Sequence, residues 1–397
     1  MRPFIWTMVV LPLVVAVLAP PLEGRSSTWQ RVVTLEFHPD GHSVLAGLLN
    51  GRSVNPWYPD PKFLLQDLCQ TVVVIPVDDP LSATVVSQRS FPGQTTAAVL
   101  GHFGRFASFD SDCAIVTGHW DGAITRTDPE TLQEESIYSD SEMLRISSFG
   151  LSPDGRSIAV SHRGNIVLFS TDDTDEPVSL EFSVFCSPTS FSPDGQLLAT
   201  GSYDGVVIWN TATNQPTLID IGHDPEVDGR IYSLQFSPDG ETLAIGREKS
   251  VVLWDTSSSS VRAMFDEDWV SDIAFHPNGS IFATAGKDAV RFWNSDDGEP
   301  QPLLVRPGGV PRTVEFSPNG NQIAVGDGEG DVTMWNSASG QNLWRHHIDG
   351  VVPFYIANKF RAAMFAVSAI FLCIGGAIHF RTEKRPPETD SELAESG

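Results

Sequence analysis

The chain has 397 residues, with 25 Lys and Arg against 50 Asp and Glu, a formal net charge of −25. Such an acidic chain has no clustered cationic face to track a phosphate backbone, which argues against nucleic acid as a partner. Its 41% hydrophobic residues, 33 Gly and 28 Pro describe a turn-rich globular protein, and four cysteines without a CxxC pair exclude a disulfide framework and leave a zinc or redox centre unsupported.

Residues 1–24 carry Arg2 before an apolar run from Phe4 to Leu18, then Ala19-Pro20-Pro21. A basic residue ahead of an apolar stretch of this length reads as a secretory signal peptide. Pro20 hinders cleavage after Ala19, so an uncleaved N-terminal anchor is the alternative.

From residue 28 to 350 one phrase recurs: Phe37-His-Pro-Asp-Gly41, Leu151-Ser-Pro-Asp-Gly155, Phe191-Ser-Pro-Asp-Gly195, Phe236-Ser-Pro-Asp-Gly240, Phe275-His-Pro-Asn-Gly279 and Phe316-Ser-Pro-Asn-Gly320. A decayed copy, Phe109-Asp-Ser-Asp-Cys113, fills the gap, and successive anchors stand 72, 42, 40, 45, 39 and 41 residues apart. The phrase has a mechanical meaning. An alternating run such as Ile231 to Phe236 is a half-buried strand. Pro then presets the turn, and Asp-Gly or Asn-Gly supplies the positive φ of a tight reversal. A second strand (Thr242 to Ile245), a third with Trp near its end (Val251 to Asp255) and a variable fourth complete the unit. Repetition about every 40 residues predicts an all-β chain, a seven-bladed β-propeller of four-stranded antiparallel blades.

The long first interval places its surplus in two loops of blade one, Asn50 to Gln70 and Phe91 to Gly101. Thr71 to Asp78 is then the third strand of that blade, and Ala83 to Ser87 its fourth. The last blade reads as complete through Asn342 to Ile348, so the ring is expected to close by packing between blades rather than by strand exchange.

Ala362 to Phe380 carries no charged residue over 19 positions, near the ~20 that a helix needs to cross a bilayer. Lys359 and Arg361 precede it; Arg381, Lys384 and Arg385 follow. Residues 351–381 therefore read as a single transmembrane α-helix with its flanks, and 382–397 as a disordered acidic tail. With an exported N-terminus, the propeller lies on the extracytoplasmic side and the tail in the cytoplasm. Opposite insertion, with a cytoplasmic propeller, is the alternative. Of the cysteines outside this segment, Cys69, Cys113 and Cys186 read as thiols, one disulfide with a free thiol being the other arrangement.

The repeat resembles that of the WD-repeat (WD40) family. Trp209-Asn210, Trp254-Asp255, Trp293-Asn294 and Trp335-Asn336 stand where that family's repeat-ending Trp-Asp dipeptide stands. Phe169-Ser170 is a weaker copy, and Arg126-Thr127 takes its place in blade two. In that family a Trp, a Ser or Thr, a turn Asp and a His form a hydrogen-bonded tetrad. The resemblance implies this blade-locking role for Thr200, Asp204 and Trp209 and for Thr284, Asp288 and Trp293, both groups lacking the His. His223 stands in the family's place, but its blade has Ile245 and Lys249 where Thr and Asp belong.

The resemblance also places the connections between second and third strands on the upper face. Trp57 and Tyr58 of the insertion lie there, with His119 and Trp120, and these four are the candidate interaction residues, since aromatics dominate binding hot spots. Plainer roles fit them too: Trp57 with Phe63 and Leu64 as a loop core, and His119-Trp120-Asp121, like His162-Arg163, as turn residues. His346-His347 needs further ligands to hold a metal. Asp172 to Glu176 and Asp296 to Glu299 lack the alternating spacing of a calcium loop. Asn278-Gly279-Ser280 fits the N-glycosylation pattern on an exposed turn.

No GxSxG, HExxH or GxxxxGK[ST] motif is present, so no catalytic, metal or cofactor-binding residue is assigned and the protein is expected to bind rather than catalyse. The expected function is a membrane-anchored protein–protein interaction scaffold, its partners a protein or peptide and the membrane. The rival is a small-ligand sensor or enzyme with a site at the channel mouth, which His, Asp or Arg side chains converging on the axis would favour.

Overall fold

The computed structural model describes residues 28–348 apart from 54–64, 92–106, 111, 120, 140–145, 163–164, 172–176, 181–187, 202–204 and 223–229. The segments expected to meet the membrane lie outside these residues. Among the described residues no helix is long and apolar enough to cross a bilayer.

Twenty-eight strands form seven four-stranded antiparallel sheets, each from four consecutive strands. Blade one is β1 (Thr28–Phe37), β2 (Ser43–Ser53), β3 (Leu65–Pro76) and β4 (Thr84–Phe91). Blade two is β5 (Ala107–Phe109), β6 (Ile115–Gly118), β7 (Ala123–Thr127) and β8 (Glu134–Ser139), and blade three β9 (Ile146–Leu151), β10 (Ser157–His162), β11 (Asn165–Ser170) and β12 (Val178–Leu180). Blade four is β13 (Thr189–Phe191), β14 (Leu197–Gly201), β15 (Val206–Asn210) and β16 (Gln215–Ile219). Blade five is β17 (Ile231–Phe236), β18 (Thr242–Arg247), β19 (Ser250–Asp255) and β20 (Ser260–Asp266). Blade six is β21 (Asp272–Phe275), β22 (Ile281–Ala285), β23 (Val290–Asn294) and β24 (Pro300–Val305), and blade seven β25 (Pro311–Phe316), β26 (Gln322–Asp327), β27 (Asp331–Asn336) and β28 (Asn342–His347).

The pattern of residue types explains this layering. Second strands are covered on both faces by neighbouring blades, so all six residues of β18 are buried and its sequence is almost continuously apolar. Fourth strands form the outer rim, and β20 is largely exposed. The apolar clusters therefore lie between blades: Ala199 and Val206 of blade four pack with Ile231, Leu234, Leu243 and Trp254 of blade five.

Ring closure repeats the same device. β1 pairs with β2 and does not complete blade seven. Instead Val32 and Leu35 share one core with Ala324, Val332 and Met334. A small residue stands at the matching position of each second strand: Gly47, Gly118, Ser161, Gly201, Gly246, Ala285 and Gly326. A Cβ on Gly201 would meet Ile231 Cγ2 at 2.7 Å, one on Gly246 would meet Val270 Cγ1 at 2.7 Å, and one on Gly326 would meet Val32 Cγ1 at 2.5 Å. The closing seam is thus built like the internal ones.

Two expectations change in blades one and two. The stretch Asn50 to Gln70 is not simply a loop. β2 and β3 continue into it as a hairpin, with Asn50 opposite Cys69 and Ser53 opposite Leu65, leaving 54–64 outside the described residues. In blade two, register puts Thr127, not Arg126, at the Trp position, since Ile115 faces Thr127 as Leu198 faces Trp209. The second residue of the dipeptide is then Asp128. Its Oδ1 accepts the Glu130 and Thr131 amides at 2.8 and 2.9 Å, as Asn210 accepts that of Thr213 and Asn336 that of Ser339. Blade two kept the turn-capping acceptor and lost only the indole.

The turns between first and second strands are almost identical. Ser152, Ser192 and Ser237 each donate Oγ–H to the turn Asp at 2.5–2.6 Å, and that carboxylate also accepts a backbone amide. These Ser hydroxyls, then the amides, hold Asp154 and Asp194 below the usual carboxylate range, and the same Ser bond lowers Asp239 against a smaller effect of burial. A carboxyl whose pKa is depressed on folding contributes stability above its unfolded value, about 3.9, and that contribution is lost as pH falls through the lower folded value. Blade seven makes the same bonds with Asn319. Replacing Asp154, Asp194 and Asp239 together by Asn is therefore expected to lower the urea midpoint at pH 7 and to reduce the further loss of stability between about pH 4 and pH 2.

Blade two departs from this pattern at Cys113, a half-buried free thiol that holds φ +63° where other turns place Gly at +70° to +76°. Cys69's side chain and Cys186 lie outside the described residues. A left-handed conformation costs a residue with a Cβ ~1–2 kcal/mol, partly offset by glycine's greater freedom when unfolded. Cys113→Gly is expected to stabilise the fold by about 0.5–1 kcal/mol, read as a higher urea midpoint at unchanged slope.

Candidate functional site

The first strands of all seven blades line the axis. Between them lies a cavity of about 280 Å³, walled by residues that include Arg31, Tyr232, Trp269, Asp272 and Arg312. Antiparallel alternation puts the Ser-Pro-Asp-Gly turns at the lower end and the links between blades at the upper end, with Trp269 on one such link.

A recurrent irregularity aims side chains into this channel. In blades one, three, five and seven the pairing of first and second strands skips one residue, four positions before the turn anchor: Val33, Ser147, Tyr232 and Arg312. A bulge of this kind turns a side chain out of the ladder. Val33, Tyr232 and Arg312 all wall the cavity.

Arg31 and Arg312 come from the two blades flanking the closing seam. Burial, and then the neighbouring Arg312 guanidinium, lower Arg31 to about 9; burial also lowers Arg312. Both remain cationic at neutral pH. Arg312 Nε is buried without a hydrogen-bond partner, and among the described residues no carboxylate pairs with this side chain.

Two carboxylates stand in the same wall: Glu36, whose Oε1 accepts the Phe109 amide at 3.3 Å, and Asp272, which is fully engaged. Asp272 Oδ2 accepts Thr313 Oγ1 at 2.8 Å and the Val314 amide at 3.1 Å, while Oδ1 accepts Ser233 Oγ at 3.2 Å and the Ile273 amide at 3.0 Å. It ties blades five, six and seven together.

Trp269 stands over the cavity from the link between β20 and β21. Its φ is +59°, a strained conformation for a bulky residue. The Trp269 amide donates to Glu248 O at 2.6 Å, and Lys287 N to Asp268 O at 3.1 Å, so the link is laced to turns of blades five and six. Its indole stacks on Tyr232 with centroids 5.9 Å apart, and Arg230 lies 5.9 Å from the Tyr232 ring centre. Beneath it Glu267 pairs with Arg291 at 2.8 Å; burial raises the Glu267 carboxyl despite that partner.

A second charged group occupies the turn between β26 and β27. Asp327, Glu329 and Asp331 bring carboxylate oxygens within 4.8 Å of one another. Burial works to raise Asp331, but Arg345 and His347 outweigh it and hold it low. His347 Nδ1 lies 2.6 Å from Asp331 Oδ1, so the expected question of ligands for His346-His347 resolves for His347 into a hydrogen-bond contact with this acidic turn.

Of the residues singled out from sequence, Trp57, Tyr58, Trp120 and Asp204 lie outside the described residues. His119 is buried and its Nε2 lies 2.8 Å from Thr125 Oγ1, locking blade two from within. Trp209 Nε1 donates to Thr200 Oγ1 at 3.0 Å, and Trp293 Nε1 to Thr284 Oγ1 at 2.9 Å. Asp288 is exposed and pairs with Arg291 at 2.8 Å rather than with a histidine, because no His precedes that blade. Trp335 bonds Thr333 on its own strand, and Trp254 packs into the apolar seam. Asn278 uses its Oδ1 within the turn, accepting Ser280 N and Oγ. The channel group escaped sequence reading because it is spread over four blades; its one trace is a large side chain four positions before a turn anchor.

Comparison with known proteins agrees with the architecture. A chain of a mitotic checkpoint complex crystal structure superposes with a TM-score of 0.58 over 77% of this chain and 86% of that one, at 14% identity. The small ribosomal subunit protein RACK1 of Caenorhabditis elegans is 28% identical over 138 residues, 33% of this chain. The fold is that of a WD40-like β-propeller. The match spans only 40% of the RACK1 chain. A family model described as outer membrane protein assembly factor BamB also matches, over residues 189–351.

Proposed function

We propose that this WD40-like propeller is a membrane-anchored, extracytoplasmic scaffold that binds a protein or peptide through its upper face. The observation that carries the reading is the contrast between the two faces. Lower turns are near copies whose polar groups satisfy one another, leaving little with which to distinguish a partner. Upper connections differ from blade to blade in length, charge and aromatic content, from the β2–β3 hairpin to the Trp269 link and the acidic turn of blade seven. Loops that vary on a rigid scaffold are where recognition is placed. The names of the similar proteins, a ribosomal subunit protein and a checkpoint complex, are those of assemblies.

Anchoring is supported by the uncharged run from Ala362 to Phe380 and the apolar run from Phe4 to Leu18. The absence of a nucleophile–base motif supports binding over catalysis. Alkaline phosphatase fused after Gly350 is expected to be active in cells, because it matures only outside the cytoplasm. An inactive phosphatase together with a bright fluorescent-protein fusion at the same site would reverse the topology.

A further inference from the structure

We propose that the turn between β26 and β27 is a binding site for a calcium ion, with Asp327, Glu329 and Asp331 as its carboxylate ligands. This goes beyond the scaffold reading and does not depend on it.

The segment Asp327-Gly-Glu-Gly-Asp331 places acids at alternate positions of a short turn, the spacing that the other acidic clusters of the chain lack. The fold gathers them: one carboxylate oxygen from each lies within 4.8 Å of the other two. Oxygens sharing a calcium ion at about 2.3–2.6 Å stand no more than about 5 Å apart, so the three can meet on one ion.

Grouping alone says little, because acids on turns are commonly solvated. What sets this turn apart is Asp327, whose side chain has 0% exposure. Its Oδ1 accepts the Glu329 and Asp331 amides at 2.8 and 3.0 Å. Its Oδ2 is buried as well and meets no donor. A carboxylate oxygen removed from water is costly until a donor or a cation reaches it. Asp272, equally a carboxylate of the upper half, has both oxygens filled.

The cations beside the turn do not meet this need. Arg345 donates Nε–H to Asp331 Oδ2 at 2.8 Å, and His347 Nδ1 lies 2.6 Å from Asp331 Oδ1. Both contacts are to Asp331, and neither side chain hydrogen-bonds Asp327 or Glu329. Even with His347 protonated, three carboxylates outnumber two cations. Both side chains are about half exposed, at 49% and 51%, so either can turn into water and release Asp331 to an ion. The link between β24 and β25 closes the turn from a second side. A Cβ on Gly309 would stand 2.3 Å from Asp327 Oδ2, and one on Gly308 3.2 Å from Arg345 Nη1. Glycine in such places marks a close backbone approach.

Donor type names the metal. An all-carboxylate set suits a hard cation, and an irregular set on a turn suits calcium, which tolerates variable geometry, better than magnesium, which demands an octahedron.

Calorimetry on the full chain in detergent, stripped with chelator and held at constant ionic strength, tests the site with calcium chloride and magnesium chloride. One calcium ion per chain is expected at a Kd of about 10⁻⁴ M or tighter, with magnesium at least tenfold weaker. Asp327→Asn and Glu329→Gln are each expected to weaken calcium binding about tenfold. Arg345→Gln is expected to tighten it severalfold, because it removes the competing cation; a residue that merely held the turn together would not do so. In the natural chain a hundredfold excess of calcium over Kd should raise the melting temperature by about 3–6 °C. Should Asp327→Asn fail to fold, Glu329→Gln, at an exposed position, is read instead, with weakened binding the expected result. A heat-silent calcium titration to about 10 mM with no shift in melting would overturn the proposal. So would undiminished binding in Glu329→Gln, which would place the ion elsewhere on this acidic chain. Neither outcome bears on the scaffold reading, since the assay contains no partner protein.

Discussion

Asp272→Ala is expected to lower the stability of the propeller by about 3–4 kcal/mol. The side chain is a charged acceptor for four donors on three blades, and truncation leaves the Val314 amide and Thr313 Oγ1 in the core without partners. A lost hydrogen bond contributes modestly, whereas each buried donor left unsatisfied costs ~1–3 kcal/mol. Asp272→Asn keeps one acceptor oxygen and should fall between the two. Urea denaturation followed by tryptophan fluorescence measures the difference; a change below about 1 kcal/mol would show that the blades are held together without this pin.

The second large effect concerns the closing seam. Gly326→Ala places a methyl 2.5 Å from Val32 Cγ1, 2.8 Å from Val32 Cβ and 2.9 Å from Thr313 Cγ2. All three atoms belong to backbone-anchored strand residues, so neither blade can yield without moving its first strand. The expected cost is about 2–3 kcal/mol. Gly201→Ala should cost a similar amount, facing Ile231 at 2.7 Å, while Gly118→Ala, whose nearest neighbour is Phe149 at 3.4 Å, should be close to neutral. Adding Val32→Ala to Gly326→Ala is expected to recover part of the loss, a coupling that only direct contact across the seam produces. Strictly additive variants would mean that blades one and seven do not meet as described.

The blades were legible in the sequence because each carries its own local instructions: an alternating strand, a Pro-Asp-Gly reversal, and a Trp or Phe at a fixed distance. Closure without strand exchange was legible too, since Asn342 to Ile348 already supplied a fourth strand for blade seven. Blade two was misread by one residue because the Trp that marks register is Thr127 there; the surviving signal was Asp128, whose carboxylate caps the turn. The insertion in blade one looked like a loop because Asn50, Gly51 and Pro56 are poor strand formers, yet pairing with β3 carries β2 to Ser53.

Most of the channel was not legible. Arg31, Tyr232, Trp269, Asp272 and Arg312 are up to 281 residues apart in the chain (31 to 312) and have no common motif. The bulge that carries Tyr232 and Arg312 depends on pairing and not on residue type, and Arg31, Trp269 and Asp272 share no such feature. His119 misled for the opposite reason: a His-Trp-Asp turn suggests an exposed aromatic anchor, but its imidazole turns inward to Thr125.

These features describe a disc whose lower turns repeat a closed hydrogen-bond pattern and whose upper end carries the variety. That the upper face is the binding face is tested most directly by site-specific photo-crosslinking of the full chain in intact cells. A photoreactive side chain placed at Lys249, Lys287 or Glu329, all exposed at the upper end, is expected to capture one common partner. The same side chain at Asp194, Asp239 or Asn319, exposed in the lower turns, is expected to capture none. Products from the lower turns with nothing from the upper positions would contradict the account.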